Sequence, residues 1–214
     1  MSSDKPRLWA FESSPFAGKA RAAFAEKGVD FELIEIHPVK RPGRLRELNP
    51  LNRVPVLELP DAAIRESSII CEWLEETYPE PPLWPASPGA RAAARGWAKY
   101  IDDTLTANFF LGMRKLAFGP DEGDPPDITD RLHRRMERHW ATIEDVLEAS
   151  DGPWVCGEQF TYADVGAMPL AVRLPQWKPE LVPDTPRLTA WLNALRERPS
   201  AAAVEQRGEQ RLSA

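Results

Sequence analysis

A proline-bearing stretch, residues 49–57, has the composition of a strand that could hold a ligand through its backbone. Val54–Leu57 alternate like a short strand, yet Pro55 interrupts them. Because proline cannot donate to a sheet ladder, the stretch belongs at a sheet edge, a strand start or a bulge. Such an edge can pair with a peptide-like ligand by strand addition. The alternative is an ordinary edge strand blunted by proline. In either case Val54–Pro55 is a candidate cis bond.

The elements around this stretch are predicted in the order strand, helix, strand, helix, strand, strand, helix. Pro15 suits the first position of the first helix, and Gly28 is a good stop after it. The opening strand–helix–strand implies a parallel pair with a right-handed crossover. The predicted bounds are residues 7–11, 15–27, 29–36, a short helix ending near 49, a strand from 54 to 59, a return strand ending at 65, and a helix over 67–78.

No strand pattern follows the proline-rich segment 81–88, which reads as a stiff linker between two domains. Four helices are predicted after it, over residues 91–118, 128–147, 161–172 and 186–198, with a fraying tail from Ala201. Thr161 and Asp164 form a capping-box pattern at the start of the third. We therefore expect an α/β domain over residues 1–80 and an all-α domain over residues 89–214.

The composition of the 214 residues excludes several classes of function. The net charge is −6, with 11 basic and 14 acidic residues up to Pro82 and 16 and 19 after it, so no basic arm indicates nucleic acid. The start lacks the apolar core of a signal peptide, and no apolar run approaches the ~18 residues of a membrane span. Two cysteines, Cys71 and Cys156, make neither a disulfide framework nor a metal cluster. We expect a cytoplasmic protein without a metal.

Five pieces of the chain occur in the order and at the spacing of one enzyme family. They are Ser14–Arg21, Glu26–Phe31, Asn49-Pro50 with Arg53–Leu57, Glu66-Ser67 and Gly157–Asp164. Together they resemble the cytosolic glutathione transferases, and the resemblance covers nearly the whole chain. It implies a thioredoxin-like N-terminal domain, an all-α C-terminal bundle, glutathione as co-substrate, a homodimer and a role in detoxification.

The resemblance also implies where glutathione would dock. Its γ-glutamyl carboxylate would lie at Glu66 and Ser67, where helix amides and the dipole favour negative charge. Its cysteinyl backbone would pair with Val54. The alternatives are that Ser67 is only a helix cap and that Lys40 and Arg41 belong to a solvated loop. The full set of implied contacts is Lys40, Arg41, Arg53, Val54, Pro55, Glu66 and Ser67.

The chemistry needs a thiolate, and the pKa of a free cysteine thiol, ~8.5, falls near helix N-termini and hydrogen-bond donors. Ser14, just before Pro15, matches the catalytic serine of the serine-type classes, and the chain resembles their tau-like, zeta-like, omega-like and bacterial members. In classes with Cys-Pro-Phe-Ala a cysteine stands at this position, so its absence disfavours thiol transfer. No tyrosine lies near the first strand, which removes the tyrosine-type classes. Ser13 is the other candidate for the catalytic serine. The alternative interpretation of Ser13 is that it only forms the turn.

The electrophile would lie against the long helix after the linker, in a mostly apolar pocket that Asp103 could make more selective. Aromatic and methionine residues at helical spacing are more often core than pocket. Cys71 is expected to be buried beneath the site. The implied activity is conjugation of glutathione to a hydrophobic electrophile. The alternatives are a glutathione-dependent lyase, etherase, dehalogenase or isomerase, and a non-catalytic scaffold of the same fold. The pocket candidates are Phe11, Phe16, Tyr100, Asp103, Asn108, Phe110 and Met113.

Overall fold

The computed structural model describes residues 5–110, 122–177 and 179–205. Its first half is a four-stranded sheet in the order β2-β1-β3-β4, in which β1 is parallel to β2 and antiparallel to β3. β3 and β4 form the predicted antiparallel hairpin. The elements are β1 (Arg7–Ala10), α1 (Pro15–Glu26), β2 (Glu32–Glu35), α2 (Gly43–Leu48), β3 (Val56–Glu58), β4 (Ala63–Arg65) and α3 (Ser67–Thr77).

Local signals explain both ends of α1. Pro15 begins the helix, and the side chain of Ser14 accepts a hydrogen bond from the Ala17 amide. Gly28 adopts a φ of +63° after the last turn, a conformation that costs glycine little. The next strand begins at Glu32, later than predicted, because Phe31 turns into the core, where its ring centroid lies 4.7 Å from that of Phe24.

The sheet buries a different set of side chains on each face. Leu8 and Leu57 belong to the large core that runs from α1 and α3 into the helical half. Trp9 and Val56 alternate with them and pack in a smaller cluster with Leu45 of α2. This period of two is the expected consequence of strand geometry.

The described part of the second half has helices and 3₁₀ turns as its regular elements, as predicted, apart from an isolated bridge between Trp154 and Gly157. Its elements are α4 (Pro88–Tyr100), a π-helical segment (Ile101–Thr106), α5 (Ile128–Ala149), α6 (Tyr162–Trp177), α7 (Pro186–Glu197), and two 3₁₀ turns, Pro179–Leu181 and Pro199–Ala203. The chain is helical again over residues 107–110, where this described range ends. Among the described residues, the helices include none that is both long and apolar enough to cross a membrane.

Two predictions about the helical half were wrong. α6 does not end near residue 172 but continues through Pro169 and Pro175 to Trp177. Its residues up to Val172 are almost completely buried, and tertiary packing outweighs the local cost of proline. The tail does not fray at Ala201, since Ala201 and Val204 are both buried against the core.

The two halves meet along α1. A Cβ atom at Gly18 would lie 3.2 Å from Cγ of Pro169, so the absence of a side chain lets α6 approach closely. At the far end of α1, Arg198 donates two hydrogen bonds to Glu26, at 2.7 and 2.6 Å. The segment predicted as a linker is fastened as well, because Trp84 is buried within 5.0 Å, centroid to centroid, of the Tyr162 ring.

Candidate functional site

The register of the sheet brings three functional segments to one end of it. Trp9 of β1 pairs with Val56 of β3, and Val56 pairs with Arg65 of β4. Because both pairs are antiparallel, the chain leaving β1, the chain entering β3 and the chain leaving β4 lie side by side. The segments gathered in this way are residues 11–14, 53–55 and 66–67.

Ser14 is the N-cap of α1, and it is buried. Its Oγ accepts a hydrogen bond from the Ala17 amide at 3.2 Å. A hydroxyl that accepts in this way still has its own hydrogen to donate. Ser13 precedes it in the turn and is half-buried. Ser14 therefore lies at the positive end of the helix with a donor to spare, which is an arrangement suited to an anion.

The Val54–Pro55 bond is cis, as the sequence indicated, and Val54 is half-buried. The loop before it depends on Asn49, which sequence reasoning noted only as part of a motif. The buried Asn49 amide donates to the Arg53 carbonyl at 3.0 Å, and its Oδ1 accepts from the Leu51 amide at 3.1 Å. An asparagine just before proline is a turn signal that could have indicated this.

Glu66 and Ser67 begin α3, but the residue that caps the helix is Glu66 and not Ser67. The N-cap is Glu66, and Ser67 is the first helical residue, buried at 5 % exposure, so the interpretation of Ser67 as a cap was wrong. Glu66 has a φ of +68°, a backbone conformation that costs a non-glycine residue about 1–3 kcal/mol. Strain of this kind concentrates at ligand sites, and Glu66 is exposed and makes no side-chain cap hydrogen bond to the helix.

The three cationic side chains predicted to bind a ligand carboxylate differ in their surroundings. Lys40 and Arg53 are exposed. Arg41 is tied to the backbone, because its guanidinium donates to the carbonyl oxygens of Pro38, at 2.9 Å, and Asn52. Arg41 thus braces the loop that carries Arg53 and still has further N–H groups to offer.

A buried polar cluster that connects α1, α3 and the π-helical segment was not predicted from the sequence. The ammonium of Lys19 lies 2.5 Å from the carboxylate of Asp102 and donates to Ser68 Oγ at 3.1 Å, while Ser68 donates to Asp102 at 2.5 Å. These three residues connect α1, α3 and the π-helical segment. They line a cavity of about 220 Å³ together with Cys71 and Tyr162. The sequence signal that could have indicated this polar cluster is Lys19, a lysine between the small residues Gly18 and Ala20 of α1.

The electrophile candidates fall into separate environments. Tyr100 and Asn108 converge on His139 of α5, with Tyr100 Oη 2.9 Å from Nδ1 and Asn108 Nδ2 3.4 Å from Nε2. Burial, and then Arg135 and Arg138, lower the pKa of His139.

The other candidates do not share that cluster's hydrogen bonds. Asp103 is exposed and forms an ion pair with Lys99, and Phe110 is exposed. Phe11 and Phe16 are half-buried beside the Ser14 turn. Met113 lies outside the described residues.

Cys71 is buried, as predicted. Burial raises the pKa of its thiol to about 12, which leaves it protonated at neutral pH.

Comparison with known proteins agrees with this geometry. Residues 8–82 match the model of the glutathione S-transferase N-terminal domain, and residues 107–199 match that of the glutathione S-transferase C-terminal domain. The chain is 30 % identical over 204 residues to glutathione S-transferase U28 of Arabidopsis thaliana, covering 91 % of this chain and 85 % of the relative. It is 29 % identical over 188 residues to the maleylacetoacetate isomerase of Rattus norvegicus, covering 86 % and 84 %.

A solved structure shows the same fold over almost the whole chain. The glutathione S-transferase from Rhodospirillum rubrum F11 superposes with a TM-score of 0.77 at 27 % identity, covering 96 % of this chain and 94 % of that one. The mixed sheet is therefore the thioredoxin-like domain that the resemblance implied, followed by the helical domain of the same family. Family members use glutathione as co-substrate. The chain belongs to the glutathione S-transferase family.

Proposed function

We propose that this protein is a glutathione transferase in which Ser14 holds the glutathione thiolate for attack on a hydrophobic electrophile. The observation that carries the proposal is the register Trp9–Val56–Arg65, which gathers a spare hydroxyl, a strand-like backbone and a helix N-terminus at one end of the sheet. Glutathione is a tripeptide with a carboxylate at each end and a thiol between them. Its thiol, its cysteinyl backbone and its γ-glutamyl carboxylate each find a chemically suited partner in that set.

Each part of glutathione has a proposed partner. The γ-glutamyl carboxylate meets the α3 N-terminal amides and the Ser67 hydroxyl, while its ammonium meets the Glu66 carboxylate. The cysteinyl backbone adds to the chain at Val54, before Pro55. The glycine carboxylate lies toward the exposed cations of the neighbouring loops. Those cations are Lys40, Arg53 and the remaining donors of Arg41.

The chemical step needs no proton from the protein. The thiol of bound glutathione releases its proton to solvent, and the Ser14 O–H donates a hydrogen bond to the resulting thiolate. This bond and the α1 dipole lower the thiol pKa below ~8.5, so the reactive form is populated at neutral pH. The sulfur then forms a bond to carbon. In substitution a leaving group departs with its electron pair, and in addition the carbon is protonated from water.

The electrophile pocket remains a prediction from the resemblance. Phe11 and Phe16 lie on the Ser14 side, and Asp103 offers a charge at the surface of the helical domain. An apolar pocket with few polar groups suits hydrophobic electrophiles. The other members proposed for this pocket are Tyr100, Asn108, Phe110 and Met113.

A second candidate function is glutathione-dependent isomerisation. It is favoured by the relative named maleylacetoacetate isomerase, which aligns over 86 % of this chain. The same thiolate would add to a conjugated double bond, the resulting single bond would rotate, and loss of the thiolate would restore the double bond. Lyase, etherase and dehalogenase activities would reuse the same thiolate. A non-catalytic scaffold stays as the alternative from another class.

We also propose a homodimer. Leu51, in the loop before β3, and Ile69, on α3, are large apolar side chains that are 66 % and 54 % exposed. A second copy that covered them would remove apolar surface from water. Light scattering after size exclusion tests this, and a monomer at micromolar concentration contradicts it. The cytoplasmic location and the detoxification role stay predictions from the resemblance.

The decisive experiment compares wild type, Ser14→Ala and Ser13→Ala. Conjugation of glutathione to chlorodinitrobenzene and the absorbance of bound thiolate are measured for each. We expect Ser14→Ala to lose about 10²-fold or more in kcat/KM and to raise the thiol pKa, with Ser13→Ala close to wild type. The reverse pattern would transfer the role to Ser13. Tight glutathione binding without turnover of either this electrophile or maleylacetoacetate would favour the scaffold.

A further inference from the structure

Two arginines from different domains bind the same carbonyl oxygen in the turn before Ser14. Arg21 of α1 donates from Nη2 to the Glu12 carbonyl at 3.1 Å, and Arg173 of α6 donates to it from Nη2 at 2.7 Å. Arg173 also donates from Nε and Nη2 to the Val204 carbonyl, at 3.1 and 2.9 Å. The helical domain and the C-terminal segment therefore both reach the turn that carries the proposed thiolate donor.

The Arg173 guanidinium is buried beside one like charge and one opposite charge. Burial, and then the neighbouring charge of Arg21, lower the pKa of Arg173 to about 10, while the charge of Glu12 acts in the opposite direction. Nη1 of Arg173 is buried without a hydrogen-bond partner among the described residues. The bonds from Nε and Nη2 to two carbonyl oxygens therefore hold this guanidinium at the turn.

The Glu12 carbonyl, which both arginines bind, belongs to the middle peptide of the turn before Ser14. The Ser14 amide donates to the Phe11 carbonyl at 3.1 Å, which closes a four-residue turn with the Glu12–Ser13 peptide in its middle. The two common turn types differ in which way that middle peptide faces. Among described residues, the non-glycine positive φ values are at Asn52 and Glu66, so Ser13 has the negative φ of type I.

We propose that Arg21 and Arg173 are positioning residues for the Ser14 hydroxyl, because they fix the direction of the Glu12 carbonyl and with it the middle peptide of the turn. Since the peptide is planar and trans, fixing the carbonyl fixes the opposite direction of the Ser13 N–H as well. Rotation of this peptide would move the chain that enters α1, and with it Ser14. The inference rests on the proposed function.

The first test uses Arg173→Met and Arg173→Lys, with Arg198→Met as the matched control. Arg198 also links the helical domain to α1 through two hydrogen bonds, but at the opposite end of that helix. We expect Arg173→Met to lose about tenfold or more in kcat/KM and to raise the pKa of bound glutathione thiol. Arg173→Lys keeps the charge but cannot span both carbonyl oxygens, so it should recover little. Arg198→Met should lower Tm without either change.

The second test needs no glutathione. Hydrogen exchange of the amides of residues 11–14 is measured in the ligand-free protein, where the Ser14 amide reports closure of the turn. Exchange should accelerate about tenfold or more in Arg173→Met and stay unchanged in Arg198→Met. Unchanged exchange and activity in Arg173→Met, or full recovery in Arg173→Lys, would overturn the positioning role alone. A wild-type protein that binds no glutathione would overturn the proposed function, and this role with it.

Discussion

The ammonium group of Lys19 and the carboxylate of Asp102 lie 2.5 Å apart, with side chains 2 % and 8 % exposed, although the residues are 83 positions apart in the chain. Burial disfavours the charge on Lys19, but the adjacent carboxylate outweighs it, so the pKa of Lys19 is raised above the ordinary lysine value. Ser68 bonds to both groups. One ion pair thus connects α1, α3 and the helical domain.

Breaking this pair should destabilise the fold strongly. Lys19→Met leaves the Asp102 carboxylate buried without its cation, so we expect the free energy of unfolding to fall by about 3–5 kcal/mol in urea titrations at pH 8. Lys19→Met/Asp102→Asn should recover part of the loss. Lys99→Met is the control, because its pair with Asp103 is exposed and should matter little. A Lys19→Met protein as stable as Lys99→Met would contradict the interpretation.

The same pair predicts a dependence on alkaline pH. Because the folded pKa of Lys19 exceeds its unfolded value, about 10.5, its contribution is complete below that pH. The contribution disappears as the pH rises through the higher folded pKa. The difference in unfolding free energy between wild type and Lys19→Met should therefore be constant from pH 7 to 9 and shrink above about pH 10.5. A difference that grows with pH would have the wrong sign.

Substitutions at Glu66 should separate the effect of its strained backbone on stability from the effect of its charge on glutathione affinity. Glu66→Gly relieves the strain of a φ of +68° and should leave the unfolding free energy unchanged or raise it by about 1 kcal/mol, while glutathione affinity falls. Glu66→Gln is the matched control, because it keeps the strained backbone and removes only the charge. It should lose affinity without gaining stability. Calorimetric titration and thermal denaturation of both variants measure the two effects. A destabilised Glu66→Gly would show that the conformation carries no strain.

Ser67→Ala and Ser68→Ala should have opposite consequences. Ser67 is not the N-cap, so its removal should cost less than the ~1 kcal/mol of a lost cap, but glutathione should bind about tenfold more weakly. Ser68 bonds to the buried Lys19 and Asp102, so its removal should lower Tm more. Dissociation constants and Tm values for both variants test the contrast. Unchanged affinity in Ser67→Ala would remove it from the binding site.

Cys71 should be chemically silent in the native protein. Thiolate is the reactive form, and burial raises the pKa of this thiol to about 12. At pH 8 iodoacetamide should modify the half-buried Cys156 first and reach Cys71 only on the time scale of unfolding, as peptide mass spectrometry would show. Cys71→Ala should keep its conjugation activity. Rapid labelling of Cys71 in the folded protein is the result that would refute its protection.

Features that depend on neighbours in sequence could be predicted, and the structure agrees with them. Pro15 and Gly28 bound α1 through backbone geometry alone. The capping box at α6 forms as predicted, with the Thr161 amide donating to Asp164 at 2.9 Å and the Ala163 amide donating to Thr161 Oγ1 at 3.3 Å. These interactions span three residues, so the chain contains all the information they need.

Features that depend on tertiary contacts could not be predicted. A lysine in a helix ordinarily faces solvent, and nothing near Lys19 in the sequence announces Asp102. Prolines end most helices, yet Pro169 continues one that is buried on every side. Arg173 lies one residue beyond the predicted end of that helix, yet its guanidinium reaches the turn before Ser14. The order of the candidate site segments along the chain could therefore be predicted, whereas the contacts that the second domain makes with them could not.

The contact of Gly18 with Pro169 has a consequence for exchange between relatives. With the added Cβ at 3.2 Å, a methyl group at position 18 requires the Pro169 ring to shift by a few tenths of an ångström. A chimera that joined this α/β domain to helices with a bulkier side chain in place of Pro169 would meet the same crowding from the other side of the contact. Such a hybrid should melt at a lower temperature than this protein. Residues 18 and 169 are in contact, so the effects of substituting them are coupled.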